Sequence, residues 1–131
     1  MLAVDTNILI RLLTNDDAAQ SAVAKSLFAS QQIWIAKTVL LEAAWVLETV
    51  YEFDEAEIAG GLMKLISLGN VVVEDESAMR RALALVEQGV EIADAIHLFS
   101  RPPEAQFVSF DKAFVQRAKR AGVEKIMRAK G

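Results

Sequence analysis

Leu2-Ala3-Val4-Asp5-Thr6-Asn7 runs three apolar residues into an acid and two short polar side chains, ahead of the apolar triplet Ile8-Leu9-Ile10. That order predicts a strand at 2–4 handing directly to a helix, with Asp5 at the joint. Phe107-Val108-Ser109-Phe110-Asp111 repeats the arrangement, and further brief apolar runs stand at 33–35 and 71–73. These four runs are too continuous for half-exposed antiparallel strands and read as buried parallel ones. Helical patterns separate them, at 7–13, 18–30, 39–51, 55–67, 77–87, 92–100 and 112–121. Thr38 is placed to cap the third helix with Glu42 in its first turn, Gly89 and Gly122 stand where helices should stop, and Pro102-Pro103 forces a break. A short last strand is expected near 125–127. The alternation predicts a doubly wound α/β fold, an α/β/α sandwich whose mostly parallel central sheet is flanked by helices, as one domain over 1–131.

Composition narrows the function classes. With 53% hydrophobic residues and only 6 Gly and 2 Pro among 131, the chain is neither disordered nor collagen-like. Mean hydropathy is +0.28. The longest unbroken apolar runs, 43–47 and 82–86, are nevertheless far below the ~20 residues that span a bilayer, so no membrane crossing is expected. The first residues carry no basic segment and meet Asp5 at once, unlike a secretory signal. The absence of Cys removes disulfides, thiolate zinc sites and a cysteine nucleophile, and fits a reducing cytoplasm. The net charge of −4 hides a split: residues 41–76 hold nine acids and one base, whereas 112–131 hold one acid and seven bases. Lys112, Arg117, Lys119, Arg120, Lys125, Arg128 and Lys130 could form a phosphate-contacting patch; a solvated helix face would look the same in sequence.

In doubly wound sheets ligands bind outside the carboxyl ends of the strands. Asp5 and Asp111 each follow a strand there. Glu42, near the start of its helix, has Trp45 and Val46 as its next-turn neighbours, and Asp94 in Ile92-Ala93-Asp94-Ala95-Ile96-His97-Leu98 is enclosed by apolar residues near a helix start. Taken singly, each acid has a local explanation as a cap, a capping-box member or a first-turn residue complementing the helix dipole. Together, at ~5 Å spacing and an effective dielectric of ~20, they would repel by about 3 kcal/mol per pair. Such a cluster persists mainly when a cation neutralises it.

Asp5-Thr6-Asn7 after a first strand, the isolated Glu42, Ala93-Asp94-Ala95-Ile96-His97-Leu98 and Phe107-Val108-Ser109-Phe110-Asp111-Lys112-Ala113-Phe114 resemble the ordered acidic motifs of PIN-domain ribonucleases, and most closely those of VapC-type toxins of toxin-antitoxin pairs. Ser109 stands where that family often has Thr, keeping the hydroxyl. The resemblance implies an Mg2+- or Mn2+-dependent endoribonuclease in which Asp5, Glu42, Asp94 and Asp111 hold the metal directly or through water, a choice of donors that suits hard divalent ions. Thr6, Asn7 and Ser109 would orient ligands or waters, or serve as local caps and turns. It implies an RNA substrate, a cognate antitoxin and a homodimer. The antitoxin would lie along the first helices, touching Leu9, Leu12 and Leu13, and push a cation among the carboxylates.

The remaining candidates have plainer readings. His97 alone cannot run a two-histidine metal-free mechanism and reads as a structural histidine; Trp34, Trp45 and Phe114 read as core rather than base-stacking platforms. Gly60-Gly61 lacks the context of a phosphate loop. Two other acidic α/β classes stay open at this point. A receiver-like signalling module needs adjacent acids after the first strand and an aspartate after the third, where this chain has Asp5-Thr6-Asn7 and Glu74. A haloacid-dehalogenase-like phosphohydrolase needs a second acid where Asn7 stands.

Overall fold

The computed structural model describes residues 1–130. In chain order the elements are β1 (Leu2–Ala3), α1 (Thr6–Leu13), α2 (Ala18–Ser30), β2 (Ile33–Ile35), α3 (Lys37–Thr49), α4 (Glu55–Ile66), β3 (Val71–Val73), α5 (Glu76–Leu85), a 3-10 turn (Val86–Gln88), α6 (Ile92–Phe99), β4 (Phe107–Ser109), α7 (Lys112–Arg120) and β5 (Ile126–Arg128). Every strand pair is parallel. One sheet runs β1-β2-β3, with Ala3, Trp34 and Val72 in register, and a second pairs β4 with β5, with Val108 opposite Met127. The expected α/β architecture is therefore present, including the short last strand.

Burial follows the pleat. Ile33, Ile35, Val71 and Val73 point into the core, where Leu9, Leu40, Leu62, Ile66, Met79, Ile92 and Leu98 meet them. Each such side chain contributes roughly 1.5–3 kcal/mol on leaving water. The opposite pleat is only partly covered: Val72 and Val108 are exposed and Trp34 is half-buried. The reading of the strands as buried therefore holds for one face of β2 and β3, where alternating pleats hide one row while the other stays open, and fails for β1, exposed at both residues, and for β4, which has no fully buried residue.

The helix starts follow two rules. Asp5, Asp17, Asp54 and Asp111 each cap the helix behind them, accepting the N–H of Ile8 (3.2 Å), Gln20 (3.0 Å), Glu57 (2.8 Å) and Phe114 (3.0 Å). The start of α3 corrects the Thr38 expectation. The helix begins at Lys37, so Thr38 lies inside its first turn, Glu42 falls in the second, and the N-cap residue Ala36 offers no side-chain bond. Glu74, at the end of β3, accepts the Lys37 N–H at 3.0 Å instead, while Lys37 Nζ pairs with Asp75 at 2.8 Å. Gly89 and Gly122 do stop their helices, at φ of 85° and 92°.

Candidate active site

Asp5 reaches its position because β1 ends against β2 and α1 must start at once; capping α1 occupies Oδ1 and leaves Oδ2 unpartnered among the described residues. Asp111 repeats this at α7. Its turn is held by the Ser109 hydroxyl, which accepts the Asp111 N–H at 3.0 Å. Phe107 of β4 packs edge-on against Phe114, with ring centroids 5.9 Å apart, fixing the helix start against the strand. The Thr6 hydroxyl donates to Glu42 Oε1, tying α1 to α3.

Asp94 differs in environment. Burial, and then the neighbouring Asp111 carboxylate, push its carboxyl above the ordinary aspartate range, with His97 pulling weakly the other way. None of the ion pairs among the described residues includes Asp5, Glu42, Asp94 or Asp111. The links among the four acids are pairwise: Thr6, next to Asp5 in the chain, bonds Glu42, and the charge of Asp111 bears on Asp94. A cleft of about 670 Å3 runs between α3 and α6, with Glu42 on one wall and Ala93 and His97 on the other; of the four acids it is lined by Glu42 alone. No three acidic or histidine side chains among the described residues stand close enough together to hold one ion on their own. A somewhat larger open cleft of about 750 Å3, between the start of α5 and the segment before β5, contains none of the four acids. Chemistry rather than size marks the site.

Three expectations change here. Trp45 is 62% exposed on the cleft rim, where the Glu-rich outer face of α3 gives it nothing to pack against, whereas Phe114 is core as expected. His97 is also exposed on that rim and its imidazole makes no hydrogen bond among the described residues, so it is not a satisfied structural histidine. Leu9 is fully buried, because it lies on the inward face of α1, and cannot contact an antitoxin; Leu12 and Leu13 remain half-exposed.

The chain matches the family model described as "PIN domain" over residues 2–120. It belongs to the PIN-domain family. Comparison with curated proteins found no relative. PIN domains are in general nucleases that act on RNA or DNA with divalent metals, and neither the receiver-like nor the dehalogenase-like reading is favoured. The oxygen donors of this PIN domain fit such an ion: all are hard ligands, two aspartates keep an oxygen free, and the charge of Asp111 bears on Asp94. No helix among the described residues is long and apolar enough to cross a membrane.

Glu55 is the residue that the sequence analysis passed over. Its Oε1 accepts the Ile92 N–H at 3.2 Å and so caps α6, two residues before Asp94, while its Oε2 is buried without a partner. Burial, and then Glu48, Glu91 and Asp94, push its carboxyl up against the opposing effect of that hydrogen bond. Nothing local announces this role, since Glu55 and Ile92 lie 37 positions apart.

Proposed function

We propose that this PIN domain is a metal-dependent endoribonuclease and the toxin of a toxin-antitoxin pair, with Asp5, Glu42, Asp94 and Asp111 holding Mg2+ or Mn2+ directly or through water. The observation that carries this reading is a set of carboxylates left without ion pairs: none of the four acids joins a salt bridge among the described residues, and Asp5 and Asp111 each keep one oxygen outside their capping bonds. A bound divalent ion would neutralise charge on the scissile phosphate and supply an activated water. The chain's own part is positioning. Thr6 orients the Glu42 carboxylate, Ser109 shapes the turn that presents Asp111, and the capping bonds hold Asp5 and Asp111 by one oxygen and leave the other free for a ligand. Attack by water rather than by a ribose hydroxyl would leave a 5′-phosphate and a 3′-hydroxyl.

The RNA reading is supported by α7, which buries Phe114, Val115 and Ala118 and turns Lys112, Arg117, Lys119 and Arg120 outward, directly after Asp111. A homodimer is supported by Trp45, Val50 and Phe53, large apolar groups left exposed on α3 and the segment after it. Phe53 and Leu13 also line a small groove of about 140 Å3 suited to an apolar residue of an antitoxin. The test is cleavage of RNA by purified protein with and without Mn2+, with end-group analysis of the products. Metal-independent cutting, or 2′,3′-cyclic phosphate ends, would refute the mechanism.

A further inference from the structure

Beside Asp5 a second cleft of about 400 Å3 opens between α1 and α2, lined among others by Asn7, Ile8, Arg11, Gln20 and Val23. Its volume is that of a small-ligand pocket, roughly 300–1,000 Å3. Ile8 and the bare Val23, 58% exposed, supply apolar wall. The polar groups are held in a defined order. Arg11 Nη1 donates to Asp16 at 2.8 Å and to the Tyr51 hydroxyl at 3.3 Å, and Tyr51 in turn donates to Asp16. This anchors the guanidinium between α1, the turn before α2 and the end of α3. Arg11 Nε then donates to Gln20 Oε1 at 2.7 Å.

A guanidinium has no acceptor, so Gln20 can meet it only through its carbonyl oxygen, and the side-chain amide is thereby oriented by chemistry. Gln20 Nε2 is left with two N–H donors and Arg11 Nη2 with two more, none of them bonded within the described residues. We propose that this cleft is a base-reading subsite that takes a guanine from the nucleotide next to the scissile phosphate. The assignment rests on the nuclease reading for its location beside Asp5, but its chemistry comes from Arg11 and Gln20. Unstacked bases of single-stranded RNA are read along their edges. Guanine presents two adjacent acceptors, O6 and N7, whereas adenine puts an amino donor beside N7 and cytosine offers an amino donor. A pair of donors matches guanine, opposes the amino groups of adenine and cytosine, and finds a single acceptor, O4, on uracil.

The test measures binding and cutting separately. Metal-free protein is titrated with the four nucleoside monophosphates while the Gln20 side-chain amide is followed by NMR, and cleavage sites are mapped on random-sequence RNA with Mn2+. Guanosine monophosphate should bind about 10-fold more tightly than the others, the size of one good bidentate base contact, and guanine should be enriched at one position flanking the cut. Gln20→Glu keeps the oxygen that Arg11 holds but removes the donors, so it folds, loses the guanine preference and shifts toward cytosine or adenine. Equal binding of all four nucleotides, or a guanine preference unchanged in Gln20→Glu, overturns the subsite. Cleavage with no base preference together with unselective binding would sink the subsite and leave the nuclease reading standing. Selective guanine binding by a protein that cuts no RNA would support the subsite and refute the nuclease.

Discussion

Helices α1 and α7 begin under the control of the residue just before them, and α3 and α6 do not. Asp5 and Asp111 cap their own helices, whereas the first N–H of α3 is held by Glu74 and that of α6 by Glu55, each 37 positions away. The candidate site divides along the same line. Its two locally capped acids, Asp5 and Asp111, are exposed; Asp94, on α6, is half-buried with a raised carboxyl, and Glu42, on α3, depends on a hydroxyl from α1. A carboxylate that caps a helix is stabilised where it is, while a half-buried one near another carboxylate is disfavoured in its charged form until a cation arrives. The two kinds of acid should therefore respond oppositely to mutation.

The largest effect expected is on activity. Asp94→Asn should abolish metal-dependent RNA cleavage, yet leave the metal-free protein as stable as wild type or more stable by about 1 kcal/mol, since it removes a half-buried charge that burial and Asp111 both disfavour. Asp111→Ala should also abolish cleavage but lose about 1 kcal/mol, because Phe114 N–H loses its cap. Chemical denaturation of both variants beside a cleavage assay checks this. A destabilised but fully active Asp94→Asn would sink the site.

An intermediate effect concerns the long-range cap. Glu55→Ala should cost about 1 kcal/mol by freeing the Ile92 N–H, and Glu55→Gln, which keeps an acceptor, should not. The carboxyl is raised above its ordinary value of 4.5, so its stabilising contribution is fully present below that value and is lost as pH rises through the folded-state value. Wild-type stability should accordingly fall relative to Glu55→Gln as the pH is taken upward from 4.5, as read from denaturation midpoints across pH. A constant difference between the two would show that Glu55 is not held in a burial that disfavours its charge.

Thr38→Ala should have the smallest effect, within about 0.5 kcal/mol, because Thr38 caps nothing; the same change at the true cap, Asp17→Ala, should cost about 1 kcal/mol. Thermal melts of the pair test this contrast. A Thr38→Ala loss equal to that of Asp17→Ala would restore the local reading of α3.

How much was legible follows from the range of each interaction. The strand and helix alternation, the caps at Asp5 and Asp111, the glycine stops and the acidic motifs could be read because periodicity and capping act over three or four residues. Trp45 and His97 were misjudged, since apolar neighbours along a helix do not reveal which side of it another element covers. The order of acids along the chain, with the alternating elements that place them, thus came from the sequence alone, as did the net basic character of α7. Only the tertiary structure decided that α3 and α6 are capped from Glu74 and Glu55, that Asp94 is half-buried within the field of Asp111, and that Arg11 turns the Gln20 amide beside Asp5. Those contacts join residues from 9 to 37 positions apart. Their strength comes from packing that removes water from around them, which no local pattern encodes.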